Sequence, residues 1–316
     1  MKVISVFDTS IASYNLGNQI IMDSVLQIIN ELFSSDFLFT LPWEGDIGAV
    51  SHRYMRISDY VFFGGTNSLS SHMLQYKQMS FRARDLFRFK SLCLLGMGWW
   101  QYQGRPDVYT RLFLRRLLCK QLIHSVRDEY TKRKLVSIGV NSVANTCCPT
   151  TWTLTPEHCS SIPSTRSANA VATLTDYNKS AEVDARFLST LLGSYDKVYL
   201  WVQGCGDLAY CNSFSHLSDR IILIPPKLEK YDEILNHVDC DYIGTRLHAG
   251  IRAIQKKKRA LILAVDNRAV EISKDIGLSV ATRGDDRALS KFINEAFVTS
   301  LKVPFAEIQR WKEQFA

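Results

Sequence analysis

The sequence predicts an α/β protein built from two Rossmann-like domains that face a central cleft. Short apolar segments alternate with segments of helical periodicity in both halves of the chain, which is typical of βαβ folds. Several apolar segments end on glycine and short polar residues, as strands do before a crossover. The stretch 150–168 is rich in Thr, Ser and Pro without a sustained period, and so indicates a linker.

Length and composition fit this organisation. The 316 residues suffice for two domains, and 46% apolar with 22% charged residues is typical of a globular protein. We therefore predict an N-terminal domain over 1–155, a linker over 156–168 and a C-terminal domain over 169–316. The last helix, from residue 304, is a candidate for packing back on the first domain.

The individual elements follow from periodicity and from their flanking residues. In the first half, the pattern predicts strands at 1–7, 37–41, 58–63, 92–97 and 121–126, and helices at 19–33 and 129–138. In the second half, it predicts strands at 170–175, 197–203, 221–224, 242–244, 260–264 and 278–281, and helices at 181–192, 231–237, 247–254, 269–276, 287–298 and 304–316.

Several functional classes are disfavoured. No apolar run approaches the roughly 18 residues that cross a bilayer, and the opening residues 1–7 are typical of a strand, not of a signal peptide. We therefore expect a cytoplasmic protein, with the inner face of the membrane as an alternative location. Eight cysteines lack the paired spacing of a zinc site, so we expect reduced thiols and no metal. No nucleic-acid motif accompanies the +7 net charge.

The positive charge is partly local and alternates with apolar residues. Solvated helix faces would explain this pattern, and so would a polyanionic or membrane-surface partner that holds a lipid-linked substrate. The basic residues of this region are Arg82, Arg84, Arg88, Lys90, Arg111, Arg115, Arg116 and Lys120.

One strand, helix, strand unit carries the strongest functional signal. Arg246 and His248 fall where the strand 242–244 ends and the next helix begins, at the sheet edge where open α/β folds bind ligands. A guanidinium and an imidazole beside free helix N–H groups make an anion site with a proton donor or acceptor. The alternatives are a surface ion pair for Arg246 and a helix cap for His248.

Other strand ends supply further candidates. Gly64 and Gly65, followed by Thr66 and Asn67, would let backbone N–H groups and short polar side chains contact a ligand, although a tight turn needs the same residues. The pair Trp99 and Trp100 could form an aromatic sugar platform or fill the core. Arg127, at another strand exit, could pair with Asp128 or reach the same cleft as Arg246.

Five motifs resemble the polysaccharide pyruvyl transferase family, in that family's order, over about residues 5–280. They are Asn15-Leu-Gly-Asn18, Asp59-Tyr-Val-Phe-Phe-Gly-Gly-Thr66, Leu94-Leu-Gly-Met-Gly98, Ser125-Val-Arg-Asp128 and, most specific, Gly244-Thr-Arg-Leu-His-Ala-Gly250. The sequence departs from the family's pattern at Asn18, where Asp is common, and at Cys148-Pro149, where Asp-Pro is common.

The resemblance implies a fold similar to GT-B glycosyltransferases and a role in surface glycan biosynthesis, such as exopolysaccharide assembly. The implied reaction transfers a pyruvyl group from phosphoenolpyruvate, a co-substrate, to two hydroxyls of a sugar, and needs no other cofactor. The sugar would be on a lipid or nucleotide carrier. Peripheral membrane association and a homo-oligomer are further options that the resemblance leaves open.

Residue roles carry over with the motifs. Arg246 and Arg127 would hold the donor's phosphate and carboxylate, Leu247 would give a backbone contact, and His248 would be the acid/base. The first domain would supply the acceptor side and part of the donor site, and the second domain the phosphoenolpyruvate site. The remaining assignments are Gly64, Gly65 and Thr66 to the donor, and Asn15, Asn18, Asn67, Trp99 and Trp100 to the acceptor or the cleft.

Two other readings stay open. A GT-B glycosyltransferase would use the same fold to bind a nucleotide sugar, with Arg246 on the diphosphate. The second is a non-catalytic sugar-binding or assembly protein. It would fit the replacement of the family's common Asp residues by Asn18 and Cys148, but not the retention of both Arg246 and His248.

Overall fold

The computed structural model describes residues 1–45, 47–87 and 92–316. Its contacts divide the chain into two compact units. Unit 1 comprises Met1–Ser13, Ile21–Trp152 and Val303–Ala316. Unit 2 comprises Tyr14–Ile20 and Thr153–Lys302.

Strands and helices alternate through both parts of the chain. Residues 1–152 form β1 (Val3–Asp8), α1 (Gly17–Leu32), β2 (Phe37–Pro42), α2 (Ala49–Ile57), β3 (Tyr60–Gly64), α3 (Met73–Tyr76), β4 (Cys93–Leu95), α4 (Val108–Leu117), β5 (His124–Val126), α5 (Glu129–Ser137) and β6 (Val143–Asn145). Residues 153–316 form α6 (Pro156–Ser160), β7 (Asn169–Thr173), α7 (Ala181–Ser194), β8 (Val198–Trp201), α8 (Asp207–Asn212), β9 (Ile221–Ile224), α9 (Leu228–His237), β10 (Cys240–Gly244), α10 (Leu247–Gln255), β11 (Ala260–Ala264), α11 (Asn267–Ile276), β12 (Val280–Thr282), α12 (Asp286–Asn294) and α13 (Phe305–Glu313).

Unit 1 contains a parallel sheet in the order β2-β1-β3-β4. The parallel pair β5-β6 lies beside it, joined by a bridge between Met97 and Val126. Helix α13 packs on this unit, where Trp311 meets Phe62 edge-on at 6.2 Å and Phe315 meets Phe33 at 5.7 Å. The C-terminal helix is thus part of the hydrophobic packing of unit 1.

Unit 2 contains a six-stranded parallel sheet in the order β12-β11-β10-β7-β8-β9. Counted from β7, this is the order 6-5-4-1-2-3 of a dinucleotide-type Rossmann sheet. Apolar residues of α7, α12 and the strands form its core, including Leu188, Phe292 and Ile243. The predicted α/β fold class is therefore confirmed.

Some elements differ from the prediction. Helix α2 was not predicted, because its buried face carries Ser51 and His52 while the apolar Val50 and Ile57 are exposed. Helix α12 ends at Asn294, short of the predicted 298. Every helix in the described part of the chain is too short or too polar to cross a lipid bilayer.

Candidate active site

The strand order of unit 2 creates a switch point between β7 and β10. Strand β7 pairs with both β8 and β10, so the crossovers that follow β7 and β10 diverge at the carboxyl edge of the sheet. Residues 174–177 follow β7, and residues 245–248 follow β10. Open α/β sheets bind ligands at such a point, and the predicted pair Arg246 and His248 lies there.

A ring of hydrogen bonds fixes the backbone of Arg246. Its N–H donates to Oγ1 of Thr173 at 3.2 Å, Thr173 shares a 2.6 Å bond with the Tyr242 hydroxyl, and that hydroxyl donates to the Arg246 carbonyl at 2.8 Å. Burial raises the pKa of Tyr242, so the hydroxyl stays a donor. Gly244 is required here, because a Cβ would lie 2.4 Å from Oγ1 of Thr173.

The Arg246 side chain is held by two aspartates and a tyrosine ring. Its Nε donates to Oδ2 of Asp207 at 3.1 Å, and Nη2 donates to Oδ1 of the same carboxylate. Nη2 also lies 3.5 Å from Oδ1 of Asp176, and the guanidinium lies 5.0 Å from the centroid of the Tyr177 ring. Arg246 is only 5% exposed. The Nε–Nη2 edge is therefore occupied, and Nη1 has no hydrogen bond to any residue that the structure describes.

Asp207 has no exposed surface, and four donors point at its carboxylate. Besides the two bonds from Arg246, Oδ2 accepts from the Gly204 N–H at 2.8 Å and Oδ1 accepts from the Asp176 N–H at 2.9 Å. Burial raises the pKa of Asp207, and Arg246 with the two backbone donors opposes that rise. Gly204 allows the loop to approach, because a Cβ there would lie 2.8 Å from Nη2 of Arg246.

The first turn of α10 follows Arg246 directly. Leu247 and His248 are each 6% exposed. The helix has no side-chain cap, because Arg246 occupies the N-cap position. Gly250 lets this turn lie against β11, since a Cβ would meet the Ile262 side chain at 2.5 Å. His248 is thus placed beside a helix N-terminus at the switch point.

A second arginine shares Tyr177 with Arg246. The Arg268 guanidinium lies 5.8 Å from the Tyr177 ring centroid and donates to the Tyr177 hydroxyl at 2.5 Å. The Asp266 carboxylate forms an ion pair with Arg268 at 2.5 Å. Two guanidinium groups therefore contact one aromatic ring at this edge.

The predicted asparagines of the first loop lie in unit 2. Oδ1 of Asn15 accepts from the Gly17 N–H at 3.0 Å and from Nε2 of Gln203 at 2.7 Å. The Leu16 N–H donates to the Gln203 carbonyl at 3.0 Å. Asn15 and Asn18 are both half-buried. The start of α1 therefore packs against the loop that follows β8.

In unit 1, helix packing explains the glycines that were predicted to contact a donor. A Cβ at Gly64 would lie 2.7 Å from the Val25 side chain, and one at Gly65 would lie 2.7 Å from Ile21. The Gly65 N–H donates to the Leu95 carbonyl at 2.8 Å. That N–H is therefore used within the sheet, and the close approach of α1 accounts for both glycines.

Arg127 is buried beside Asn67 and Gly98. Nη2 of Arg127 donates to Oδ1 of Asn67, and a Cβ at Gly98 would lie 2.2 Å from that nitrogen. Nε lies 3.5 Å from Oδ2 of Asp128 and has no hydrogen bond within the described part of the chain. Arg127 is 1% exposed. Burial raises the pKa of the Cys148 thiol, and the charge of Arg127 acts against that rise.

Thr66 and the two tryptophans complete the predicted set. The Thr66 carbonyl accepts from the Gly98 N–H at 2.8 Å. Trp99 has no exposed surface and its indole donates to Gln103 at 3.2 Å, as core filling requires. Trp100 is half-buried and lies 4.7 Å from the Tyr76 ring. Trp99 therefore offers no face to a sugar, whereas Trp100 keeps part of its surface.

The predicted residues thus form two groups. Arg246, Leu247 and His248 lie in unit 2 with Asn15 and Asn18. The remaining predicted residues lie in unit 1: Gly64, Gly65, Thr66, Asn67, Trp99, Trp100 and Arg127. Sequence reasoning did not assign a role to four residues of this site: Asp176, Tyr177, Asp207 and Arg268. Their position shortly after a predicted strand was the one sequence feature that indicated them. Over the described ranges, no group of three His, Cys, Asp or Glu residues could hold a metal ion.

Comparison with solved structures shows a GT-B-like fold. Methanocaldococcus jannaschii UDP-GlcNAc 2-epimerase, in complex with UDP-GlcNAc and UDP, aligns with a TM-score of 0.57 at 10% identity, over 99% of both chains. MnaA from S. aureus, in a co-structure with UDP, aligns with a TM-score of 0.56 at 12% identity, over 93% of this chain and 89% of the other. Identities this low show similarity of fold alone.

Comparison at the level of sequence families is more specific. The sequence has no match among curated proteins. The family model described as polysaccharide pyruvyl transferase matches residues 15–267, which is most of the chain and includes Arg127, Arg246 and His248. The protein belongs to the polysaccharide pyruvyl transferase family.

Proposed function

We propose that this transferase moves a pyruvyl group from phosphoenolpyruvate onto two hydroxyls of a sugar, forming a ketal in surface glycan biosynthesis. One observation carries the proposal. Arg246 is fixed at the switch point of unit 2, at the N-terminus of α10, with His248 two residues further on. Membership of the family supports a pyruvyl donor over the nucleotide sugar that the same fold could bind.

The charge of the donor matches this location. Phosphoenolpyruvate is a polyanion near neutral pH, so its site needs bidentate cations and oriented N–H groups. Arg246 offers Nη1, and the uncapped first turn of α10 offers backbone N–H groups such as that of Leu247. We assign the donor's phosphate or carboxylate to these groups. The donor contact of Arg127 remains a prediction of the family resemblance.

The two aspartates on Arg246 have different roles in this proposal. Asp207 is fully buried and orients the guanidinium through its Nε–Nη2 edge. The Asp176 side chain is 38% exposed and lies farther away, at 3.5 Å. An anion bound at Nη1 would therefore repel the exposed Asp176 carboxylate from the guanidinium and leave Asp207 in place.

The reaction requires a proton at one carbon and the loss of two hydroxyl protons. Protonation of the donor's methylene carbon lets the first hydroxyl oxygen bond to the adjacent carbon. The bond from that carbon to the phosphate oxygen then breaks, phosphate leaves, and the second hydroxyl closes the ketal. Of the two hydroxyl protons, the new methyl group takes one overall and the phosphate takes the other. We assign His248 as the group that delivers or removes a proton.

Mass spectrometry of candidate sugar acceptors tests the proposal. Incubation with phosphoenolpyruvate should add the mass of one pyruvate ketal and release one inorganic phosphate. Arg246→Ala and His248→Ala should abolish the product, whereas Arg310→Ala, a solvent-exposed change on α13, should not. Sugar transfer from a nucleotide donor, with acceptor masses unchanged by phosphoenolpyruvate, would replace this proposal with the glycosyltransferase alternative.

A further inference from the structure

Helix α4 presents an exposed face that combines large apolar residues with arginines. Val108, Arg111, Leu112 and Arg115 recur at the spacing of one helical face, and all are exposed. Val108 is 62% exposed and Leu112 is 59% exposed. Leu74, on the neighbouring α3, is 63% exposed. We call these five residues the basic apolar face.

An apolar recess adjoins this face. Helices α3 and α4 are tied together, because the Met73 N–H donates to Oγ1 of Thr110 at 3.0 Å. Beside them lies a cavity of about 830 Å³. Its lining includes the apolar Met73, Leu74, Met79 and Phe81 and the cationic Lys77 and Arg82. The recess is therefore mainly apolar, carries two cationic side chains and is large enough to take part of a lipid chain.

The charge of this region selects the kind of partner. No acidic residue occurs in the sequence from 108 to 127, whereas Arg116 and Lys120 add exposed positive charge beside the face. Asp107, at the helix N-terminus, is engaged by the Thr110 N–H at 2.7 Å. Arg84, Arg88 and Lys90, which were also predicted for this region, have side chains outside the described part of the structure.

Two partners can be compared on these grounds. A second copy of the chain meeting this face symmetrically would bring like charges together, which is unfavourable. An anionic bilayer offers phosphate groups to the arginines and acyl chains to the exposed Leu and Val side chains. We propose that the basic apolar face docks on the surface of an anionic lipid bilayer. The docking is peripheral, because it uses one face of a helix of 10 residues.

Vesicle co-sedimentation with the full chain tests the proposal. Phosphatidylcholine vesicles containing phosphatidylglycerol should bind the protein, and vesicles of phosphatidylcholine alone should bind it much less. Arg111→Gln with Arg115→Gln should lower the partition coefficient by about 25-fold, because each arginine contributes a factor of about five. Leu112→Ser should lower it for both kinds of vesicle.

Matched variants in unit 2 serve as controls. Lys291→Gln with Lys302→Gln removes the same charge from exposed positions, and Val298→Ser removes an apolar side chain that is 72% exposed. These variants should bind vesicles as the unchanged protein does. Circular dichroism should show that every variant stays folded, because all of the altered side chains are exposed.

Four outcomes would overturn the proposal. The first is equal binding of the unchanged protein to neutral and anionic vesicles, or binding to neither. The second is an equal loss in the control variants. The third is self-association that Arg111→Gln with Arg115→Gln abolishes while vesicle binding persists, since that would assign the face to a second copy. The protein could also bind soluble polyglutamate as well as it binds anionic vesicles, with no effect of Leu112→Ser. That result would likewise indicate an acidic protein partner in place of a bilayer.

Discussion

Replacing Asp207 with Asn tests how the structure holds Arg246. All four partners of the Asp207 carboxylate are donors, so the amide nitrogen of Asn must face N–H groups. The variant therefore loses one neutral hydrogen bond and one bond from a charged donor. The first bond contributes roughly 1 kcal/mol and the second roughly 2 kcal/mol, so the free energy of local unfolding should fall by about 3 kcal/mol.

Donor binding should weaken in the same variant. With one of its two hydrogen bonds to residue 207 lost, the Arg246 side chain regains at most about 2 kcal/mol of rotamer freedom, so phosphoenolpyruvate should bind up to about 30-fold more weakly. Asp176→Asn is the matched comparison, because it removes a negative charge from the same guanidinium and leaves Asp207 in place. Binding in Asp176→Asn should be unchanged or up to about fivefold tighter, since the pair is partly exposed and contributes at most about 1 kcal/mol.

Two assays read these effects separately. Hydrogen exchange of peptides from β10 and α10 reports the local stability without any ligand. Titration calorimetry with phosphoenolpyruvate reports the affinity. Asp207→Asn with unchanged exchange would refute the assigned hydrogen bonds. Unchanged affinity in Asp207→Asn, or a loss in Asp176→Asn as large as that in Asp207→Asn, would refute the proposed division of roles.

Three further predictions follow from single residues. His248→Gln should lower kcat by at least about 100-fold with donor affinity kept, as initial rates of phosphate release would show; a change in KM alone would contradict the proton-transfer role. Burial lowers the pKa of His124 from 6.5 to about 4, so the unfolded chain binds a proton more readily than the folded protein between these pH values. The free energy of unfolding should therefore fall by about 3 kcal/mol as the pH drops from 6.5 to about 4. Urea unfolding at about pH 7 and about pH 4.5 measures that loss, and His124→Gln should reduce it; an equal pH dependence in both proteins would contradict the assignment. Gly96→Ala should lower the free energy of unfolding in urea by about 3 kcal/mol, because φ is +66° and the new Cβ would lie 2.1 Å from Cδ of Pro149. Gly104→Ala is the control: its Cβ meets open space, so the free energy of unfolding should change little. Equal stability of the two alanine variants would show that Pro149 does not constrain Gly96.

The sequence could predict the fold class and the placement of Arg246 and His248, because both follow from local patterns. A strand that ends before an amphipathic helix puts the intervening residues at the carboxyl edge of a parallel sheet, wherever the other strands lie. The order of strands in unit 2 depends on long-range pairing, such as that of Tyr242 with Val171, which periodicity does not encode.

The rest of the site depends on contacts between distant residues. Asp207 and Arg246 are 39 residues apart, and only the pairing of β7 with both β8 and β10 brings their loops together. The role of Gly65 likewise depends on Ile21, a residue of α1. Trp99 and Trp100 are adjacent in sequence, yet burial separates the first from the second, and only tertiary packing decides this.

Phosphorus NMR of phosphoenolpyruvate in the presence of a sugar acceptor follows the proposed transfer directly. We expect the donor signal to be converted to inorganic phosphate only when protein and acceptor are both present, and Arg246→Ala to prevent the conversion. Phosphoenolpyruvate that stays intact with every acceptor, or conversion that proceeds equally well in Arg246→Ala, would contradict the proposed transfer.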